Sequence, residues 1–224
     1  MADEHLTLTG RHVELVPLAP EHADELLAAA TIDRATYGFT EVPATTEHMA
    51  RYVDNLLAKR RAGTDLPFAQ RRVADGRLVG CTRYLEIRRW SGGRDQHDER
   101  SGGCDQHDDR HGTEPDEVEI GGTWLAADAQ RTPLNTEAKL LLLTQAFDVW
   151  HVDRVAVATD VRNERSRRAI ERLGACFEGV LRHHRLSTVE GEVGRPRDTA
   201  LYSITDDEWP AVRQDLTDRL YGPT

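Results

Sequence analysis

The spacing of apolar and polar residues along the chain predicts a protein that mixes strands and helices. Strands are predicted where apolar residues alternate or form short runs, and helices where they recur with a helical period. The predicted strands cover 12–18, 66–74, 77–90, 116–126, 154–160, 177–187 and 198–205. The predicted helices cover 20–30, 45–63, 135–150, 163–175 and 206–220.

The order of these elements predicts the fold class. Asp75 and Gly76 form a strong hairpin signal between two early strands, and the central part runs strand–helix–strand–helix–strand. This order favours an α/β fold with a mixed, mostly antiparallel sheet of about seven strands flanked by helices. No linker divides the chain, so residues 1–224 are predicted to form a single domain.

One segment breaks the pattern. Residues 91–112 contain SGGRDQHDER followed at once by SGGCDQHDDR, a duplication with almost no apolar residues. Such a composition cannot bury enough surface to offset the cost of ordering, so a mobile insertion between two strands is predicted. His97, His107 and His111 could bind a transition metal adventitiously, but a loose loop fixes ligand geometry poorly and no metal site is predicted.

The stretch from Gly121 to Phe147 carries the first candidate chemistry. A strand ends there, a polar turn follows, and a long apolar helix begins near Asn135. Free N–H groups at a helix N-terminus and the helix dipole attract anions, and Arg131 in the turn adds a planar charged donor. The segment is therefore either an anion site, such as a holder for a phosphate-bearing cofactor, or an ordinary strand–helix corner.

Composition narrows the classes of function. The net charge of −10 argues against general nucleic-acid binding, which needs a basic surface, and weakly favours neutral or cationic partners. No apolar run is long enough to span a bilayer, and residues 1–9 lack a secretory signal. Three widely spaced cysteines, Cys81, Cys104 and Cys176, fit a reduced protein. A cytoplasmic protein with no membrane partner is expected.

Three segments carry a family resemblance: EIGGTWL at 119–125, QRTPLNTEAKLLLL at 130–143 and NERSRRAIERLGA at 163–175. With the order of elements, they resemble the GCN5-related N-acetyltransferase (GNAT) superfamily, especially its branch of ribosomal-protein N-terminal acetyltransferases (RimJ/RimL-like). The resemblance covers nearly the whole chain outside 91–112. It implies an acyl-CoA-dependent N-acyltransferase that uses acetyl-CoA as co-substrate.

The resemblance also implies where the cofactor binds. In the family a glycine-rich turn wraps the pyrophosphate, but here Pro133 and Asn135 stand where glycines are usual. Pro133 has no N–H to donate, so the helix N-terminus and Arg131 must contribute more. Asn163 is expected to bond the pantetheine arm, or alternatively to act only as a helix cap. The full predicted set is Trp124, Leu125, Gln130, Arg131, Thr132, Leu134, Asn135, Thr136, Glu137, Asn163 and Arg165.

Acetyl transfer needs a base for the amine and an acid for the leaving thiolate. The resemblance implies Glu119 as the base, with Glu117 on the same strand face as the alternate. Both could instead be part of a polar strand face. Ser166 is the expected acid and Tyr202 a weaker candidate. No cysteine has a context that suggests a covalent intermediate.

The acceptor remains open at this stage. Strand alternation puts His183 and Arg185 on one face and Arg182 and His184 on the other. Either one of these pairs lines an acceptor groove, or all four side chains are solvated. The acceptor is either a protein or peptide N-terminus or a small-molecule amine, such as an antibiotic modified for self-resistance. A non-catalytic acyl-CoA sensor is the alternative from another class, and self-association into a homodimer is expected through the last strands.

Overall fold

The computed structural model describes residues 5–90, 114–189 and 191–222, so the predicted insertion at 91–112 and its histidines lie outside the described residues. Alternating segments form strands and amphipathic segments form helices, much as their periodicity predicts. The strands are β1 (Leu8–Thr9), β2 (Val13–Pro17), β3 (Leu66–Arg72), β4 (Leu78–Arg88), β5 (Glu117–Leu125), β6 (Arg154–Asp160), β7 (Cys176–Leu186) and β8 (Pro196–Thr205). The helices are α1 (Ala23–Thr31), α2 (Thr46–Arg61), α3 (Pro133–Thr144), α4 (Glu164–Glu171) and α5 (Trp209–Tyr221).

The strands form one mixed sheet in the order β1-β2-β3-β4-β5-β6-β8-β7. Only β5 and β6 pair in parallel, and the other neighbours are antiparallel. The described part of the chain therefore has eight strands where about seven were expected. The difference is β1, a two-residue strand too short to leave a periodic signal. The mixed α/β class with a mostly antiparallel sheet is confirmed.

Helices cover both faces of the sheet. Neighbouring residues of β5 point in opposite directions, as a strand requires. The Trp124 indole donates to the Tyr52 hydroxyl of α2, with 3.3 Å between the atoms, whereas Thr123 faces Lys139 of α3. The apolar core therefore lies in two layers, one under α1 and α2 and one under α3 and α5.

The sheet opens in its middle. Strands β5 and β6 pair only where residues 117–119 meet residues 154–156. Farther along, β5 carries an extra residue against β4, because Cys81 pairs with Trp124 while Arg83 pairs with Gly121. Gly122, inside this bulge, has a left-handed φ of 58°. A bulge bends its strand, so β5 leaves β6 and a gap opens between them.

No helix within residues 5–90, 114–189 and 191–222 is long and apolar enough to cross a membrane.

Candidate active site

The turn between β5 and α3 closes one end of the gap. Helix α3 begins at Pro133, with Thr132 as its N-cap. The Thr132 hydroxyl donates to the carbonyl of Ala129 at 2.7 Å and accepts from the Leu134 N–H at 3.4 Å. Arg131 adopts a left-handed φ of 59°, a conformation usually left to glycine. The chain thus changes direction at Arg131. A non-glycine residue adopts this conformation here, in a turn that lacks the glycines usual in the family.

The helix start limits which N–H groups are free. The carbonyl of an N-cap residue accepts the first intrahelical bond, so the N–H of Thr136 belongs to the helix ladder, as does that of Glu137. A phosphate would therefore have to compete with the helix for these two N–H groups, and the inclusion of Thr136 and Glu137 in the cradle stays a prediction. At the helix N-terminus the N–H groups of Thr132 and Asn135 have no intrahelical acceptor, and that of Leu134 is held only by its long 3.4 Å bond to the Thr132 hydroxyl.

Glu137 has a structural role. Its fully buried carboxylate accepts from the backbone N–H groups of Arg11, His12 and Val13, at 2.9, 2.6 and 2.8 Å, and from the Tyr221 hydroxyl. Burial raises the pKa of Glu137, but these hydrogen bonds outweigh it and leave the pKa below its ordinary value. Glu137 therefore ties the β1–β2 turn to the end of α5.

Gln130 joins the turn to its surroundings. Its amide nitrogen donates to the Leu125 carbonyl at 2.8 Å and to the Thr36 hydroxyl at 2.9 Å. Its amide oxygen accepts from Arg165 at 3.1 Å, and Arg165 also donates to the Thr36 carbonyl. Gln130 and Arg165 thus connect the turn, α4 and the loop after α1, and they bring the Arg165 charge beside the turn.

The two residues expected to pair with pantetheine are already partly engaged. The Leu125 carbonyl accepts from the Tyr37 hydroxyl at 2.9 Å as well as from Gln130. The Trp124 carbonyl accepts from Gln70 at 3.3 Å. Contacts from these residues to an added strand-like arm would therefore come mainly from their N–H groups.

At the start of α4, Asn163 caps the helix: its side-chain oxygen accepts from the Ser166 N–H at 3.1 Å. The cap leaves the Asn163 amide nitrogen available, so it does not decide between the two roles predicted for this residue. Ser166 is partly buried. Tyr202 is fully buried on β8, where its hydroxyl contacts Glu171 and Arg167. These contacts link β8 to α4 through Tyr202, and its role as the weaker candidate acid stays a prediction.

The predicted base is already paired. Glu119 is buried on β5, and its two carboxylate oxygens accept from the two terminal nitrogens of Arg185, at 2.8 and 2.6 Å. The pair raises the pKa of Arg185. Glu117, the alternate, contacts Arg154 and Arg88. A proton-accepting role for Glu119 therefore requires Arg185 to move or a water molecule to mediate.

The predicted alternation of side chains along β7 is wrong at this point. The pairing of β7 with β8 slips between Leu181 and Arg185, and His183 has a left-handed φ of 49°. This irregularity breaks the simple alternation and turns Arg185 toward Glu119, while Arg182, His183 and His184 are exposed. Sequence spacing alone carries no signal of such a bulge.

A buried lysine supports the bulge in β5. The Lys139 ammonium donates to the hydroxyls of Thr82 and Thr123, at 3.1 and 2.6 Å, on the two strands that flank the bulge. Burial lowers the pKa of Lys139 to about 7. Sequence analysis overlooked this residue, although one lysine inside an otherwise apolar helical segment was a usable signal.

The geometry fits a ligand that has an extended arm and an anionic end. The gap between β5 and β6 leads to a helix N-terminus with free N–H groups and to the Arg131 side chain, which is exposed. The side-chain oxygen of Asn135 is buried there with no hydrogen-bond partner. In the described ranges, no group of three or more His, Cys, Asp or Glu side chains is placed to hold a metal ion.

Comparison with known proteins agrees with this geometry. Residues 12–175 match the family model described as Acetyltransferase (GNAT) domain. The chain is 33% identical over 88 residues to a Bacillus subtilis (strain 168) protein named "Putative ribosomal N-acetyltransferase YdaF". That match spans 39% of this chain and 45% of the curated relative, less than half of either.

Solved structures match over nearly the whole chain. A GCN5-related N-acetyltransferase from Brucella melitensis is 30% identical, with a TM-score of 0.77, and the match covers 98% of this chain and 87% of that one. Mycobacterium smegmatis RimJ in complex with CoA-disulfide has a TM-score of 0.68 at 21% identity, with coverage of 92% and 88%. The second likeness concerns the fold alone.

Proposed function

Because the chain belongs to the GNAT acetyltransferase family, we propose that it transfers the acetyl group of acetyl-CoA to a primary amine by direct attack in a ternary complex. At the level of the family, the predicted class of N-acetyltransferase is confirmed. The observation that carries the proposal is the gap between β5 and β6, which ends beside the N-terminus of α3. An extended thioester arm fits such a gap, and a pyrophosphate fits such a helix end.

In this proposal the pyrophosphate lies on the N–H groups of Thr132, Leu134 and Asn135, with Arg131 beside it. Arg165 adds a second positive charge near the turn, and Gln130 holds the turn in place. The pantetheine arm runs along β5 past Trp124 and Leu125 and meets the free amide nitrogen of Asn163. Acetyl-CoA supplies the activated acetyl group when it is bound.

The proposed chemistry has two proton transfers, one from the attacking amine and one to the departing thiolate. The amine nitrogen forms a bond to the acetyl carbon, and the bond from that carbon to sulfur breaks. Glu119 takes the proton from the amine, directly or through water, once Arg185 has loosened its hold. Ser166 gives a proton to the departing thiolate.

Two acceptor classes fit the proposal. The first is the N-terminus of a protein, which the name of the Bacillus subtilis relative suggests. The second is a small-molecule amine, including an antibiotic modified for self-resistance. A panel of peptides with free N-termini and of small amines, assayed for thiol release from acetyl-CoA, separates the two classes.

A second candidate function is an acyl-CoA sensor without catalysis. The observation that favours it is the Glu119–Arg185 pair, which occupies both oxygens of the proposed base. A sensor would bind acetyl-CoA and release no thiol with any acceptor of the panel. Turnover with any one acceptor excludes it.

The cofactor claim is tested by thermal denaturation. A ligand that binds only the folded state raises the melting temperature by mass action, so millimolar acetyl-CoA should stabilise the protein. Arg131→Gln should weaken acetyl-CoA binding about tenfold, roughly the value of one charge-assisted contact. Arg61→Gln, at the far end of α2, is the matched control. An unchanged melting temperature in the wild type would refute the cofactor claim.

We further propose a homodimer that works in the cytoplasm. Strand β7 is a free edge of the sheet and exposes Phe177, Val180 and Leu186, which a second copy would cover. Cys81 and Cys176 are free thiols, as a reducing compartment favours. Light scattering should show twice the mass of one chain for the wild type and a single-chain mass for Leu186→Lys. A wild-type monomer would contradict the dimer.

A further inference from the structure

An arginine without an ionic partner lies beside the proposed base. Arg197 of β8 pairs directly with Arg185 of β7, so two guanidinium groups face each other across the strands. Like charges directly opposite each other destabilise a sheet. Glu119 satisfies Arg185, whereas in the part of the chain that the structure describes Arg197 has no ion pair of its own and is affected by Asp160 and Glu119 only at longer range.

Burial adds to the cost of this arrangement. The Arg197 Nε atom is buried without a hydrogen-bond partner. Burial also lowers the pKa of Arg197. Two residues along β8, on the same strand face, the fully buried Thr199 hydroxyl likewise has no partner. Buried polar groups are normally satisfied, so these two atoms on one strand face are candidates to contact a bound group.

A cavity gives such a group room. About 320 Å³ of open space lies between the end of β6 and the β7–β8 hairpin. Three arginines, Arg162, Arg195 and Arg197, line it together with two acids, Glu192 and Asp198. Arg162 binds Glu192 through two hydrogen bonds, and Asp198 accepts from the His183 N–H, so both acids already have partners. Arg162 also binds the buried carboxylate of Asp160, which lies near Arg197, so the acids of this region are engaged chiefly by Arg162 and Arg197 has no hydrogen-bonded acid of its own among the described residues.

From these observations we infer that Arg197 and Thr199 form an anion subsite that binds a carboxylate of the acceptor. The acceptor is then a free amino acid, or a similar small amine with a carboxylate near the reacting nitrogen. With its carboxylate on Arg197, such a molecule places its amine toward Glu119, because Arg185 links the two positions. The inference rests on the proposed function only for the identification of the anion as part of the acceptor.

The position separates this subsite from the phosphate turn. Arg197 faces Arg185 and Glu119, whereas the turn at Arg131 is linked to Arg165 and Thr36. A guanidinium binds a carboxylate through two parallel hydrogen bonds, and an amide cannot replace that carboxylate. The acid and the amide of one amino acid are therefore the discriminating probes.

The first experiment measures binding without turnover. N-acetyl-leucine and N-acetyl-leucinamide are titrated calorimetrically into the wild-type protein with CoA present and absent. The acid should bind at least tenfold more tightly than the amide. Arg197→Gln and Thr199→Val should reduce this ratio, the first of them to about one. Arg182→Gln, an exposed change on β7, should leave it unchanged.

The second experiment measures transfer. With acetyl-CoA, leucine should have a lower KM than leucinamide, and Arg197→Gln should raise only the KM for leucine. The melting temperature of Arg197→Gln should equal or exceed that of the wild type, because the substitution removes a charge opposed to Arg185. A marked fall in melting temperature would show that Arg197 holds the fold, and would overturn the subsite.

The experiments give different results if the anion subsite is wrong and if the proposed acetyltransferase activity is wrong. Equal binding of acid and amide, or a ratio unaffected by Arg197→Gln, overturns the subsite even if acetyl transfer is observed. A loss of CoA affinity in Arg197→Gln with an unchanged acid-to-amide ratio assigns Arg197 to the cofactor and also overturns it. Selective acid binding without any acetyl transfer supports the subsite and contradicts the proposed enzyme.

Discussion

At the scale of single residues, the site depends on which charged side chains are paired. Glu119 and Glu117 lie on the same face of β5, but each is held by arginines from other strands. Arg197, close to them, has no ion pair among the described residues. The proposed reactive centre therefore contains several mutually paired charges, and we expect an incoming ligand to change these pairs.

Replacing the proposed base tests this balance directly. Glu119→Gln keeps the shape of the side chain and removes its ability to take a proton. We expect kcat to fall about 10²–10⁴-fold, the usual contribution of a general base, with acetyl-CoA affinity nearly unchanged. Steady-state kinetics and a thermal shift with acetyl-CoA measure the two quantities.

Glu86→Gln is the matched control, because Glu86 is exposed and only 3.9 Å from Arg185. It should leave kcat within about a factor of three, as expected for an exposed ion pair. Unchanged turnover in Glu119→Gln would remove Glu119 from the mechanism.

At the scale of elements, the bulge in β5 shapes the site. It bends the strand away from β6, and the Lys139 ammonium bridges Thr82 and Thr123 behind it. A lysine buried in this way stabilises the bulge through its hydrogen bonds. It also lowers the free energy of unfolding of the whole protein, because its charged form is poorly solvated. This cost makes the element sensitive to pH.

The sign of this sensitivity follows from the pKa of Lys139, about 7 in the folded protein and 10.5 ordinarily. Between these values the unfolded chain holds the proton and the folded protein does not, so raising the pH favours the folded state. Relative to Lys139→Met, the wild type should gain up to about 1.4 kcal/mol of unfolding free energy per pH unit from 7 to 10.5.

Urea unfolding of both proteins across this range measures the difference. Lys59→Met is the control, because Lys59 is exposed and should show no such slope. A parallel pH dependence in the wild type and Lys139→Met would show that the buried amine keeps its proton.

Elements were more predictable from the sequence than the contacts between them. Periodicity and caps are local, and so Asn163 at the start of α4 and Gly76 in the hairpin were found without a structure. The Arg185–Glu119 pair joins residues 66 positions apart and depends on a slip in β7 that no local pattern records. The left-handed conformation of Arg131 was not predicted either. In the sequence the residues that depart from the family pattern are Pro133 and Asn135, and nothing marks Arg131.

At the scale of the whole molecule, the insertion at 91–112 meets the sheet at a closed junction. Arg88 of β4 pairs with Glu117 of β5. The Asp116 N–H donates to the Arg88 carbonyl at 2.9 Å, and the Trp90 N–H donates to the Asp116 carboxylate at 2.7 Å. The strands on either side are therefore hydrogen-bonded to each other up to the point where the insertion begins.

Replacing residues 91–113 with a short Asn-Gly turn should preserve the fold. A shorter connection lowers the entropy cost of closing the loop, so the free energy of unfolding should stay the same or rise by about 1 kcal/mol. The affinity for acetyl-CoA should not change. Thermal denaturation and acetyl-CoA titration check both points, and a large loss of stability would contradict the closed junction. A changed KM for the acceptor alone would assign the segment to acceptor binding.

The hydrogen bonds from Gln130 and Arg165 to Thr36 have a consequence for the order of events during turnover. They connect the turn proposed for the pyrophosphate with the loop after α1, whose Phe39 ring lies under Arg162 at the anion cavity. Binding of the CoA nucleotide at this turn should therefore also order the loop after α1, past which the amine must enter. Steady-state kinetics should therefore show a compulsory sequence, acetyl-CoA first and amine second, with CoA competitive against acetyl-CoA and noncompetitive against the amine. Gln130→Ala should loosen the sequence toward random entry.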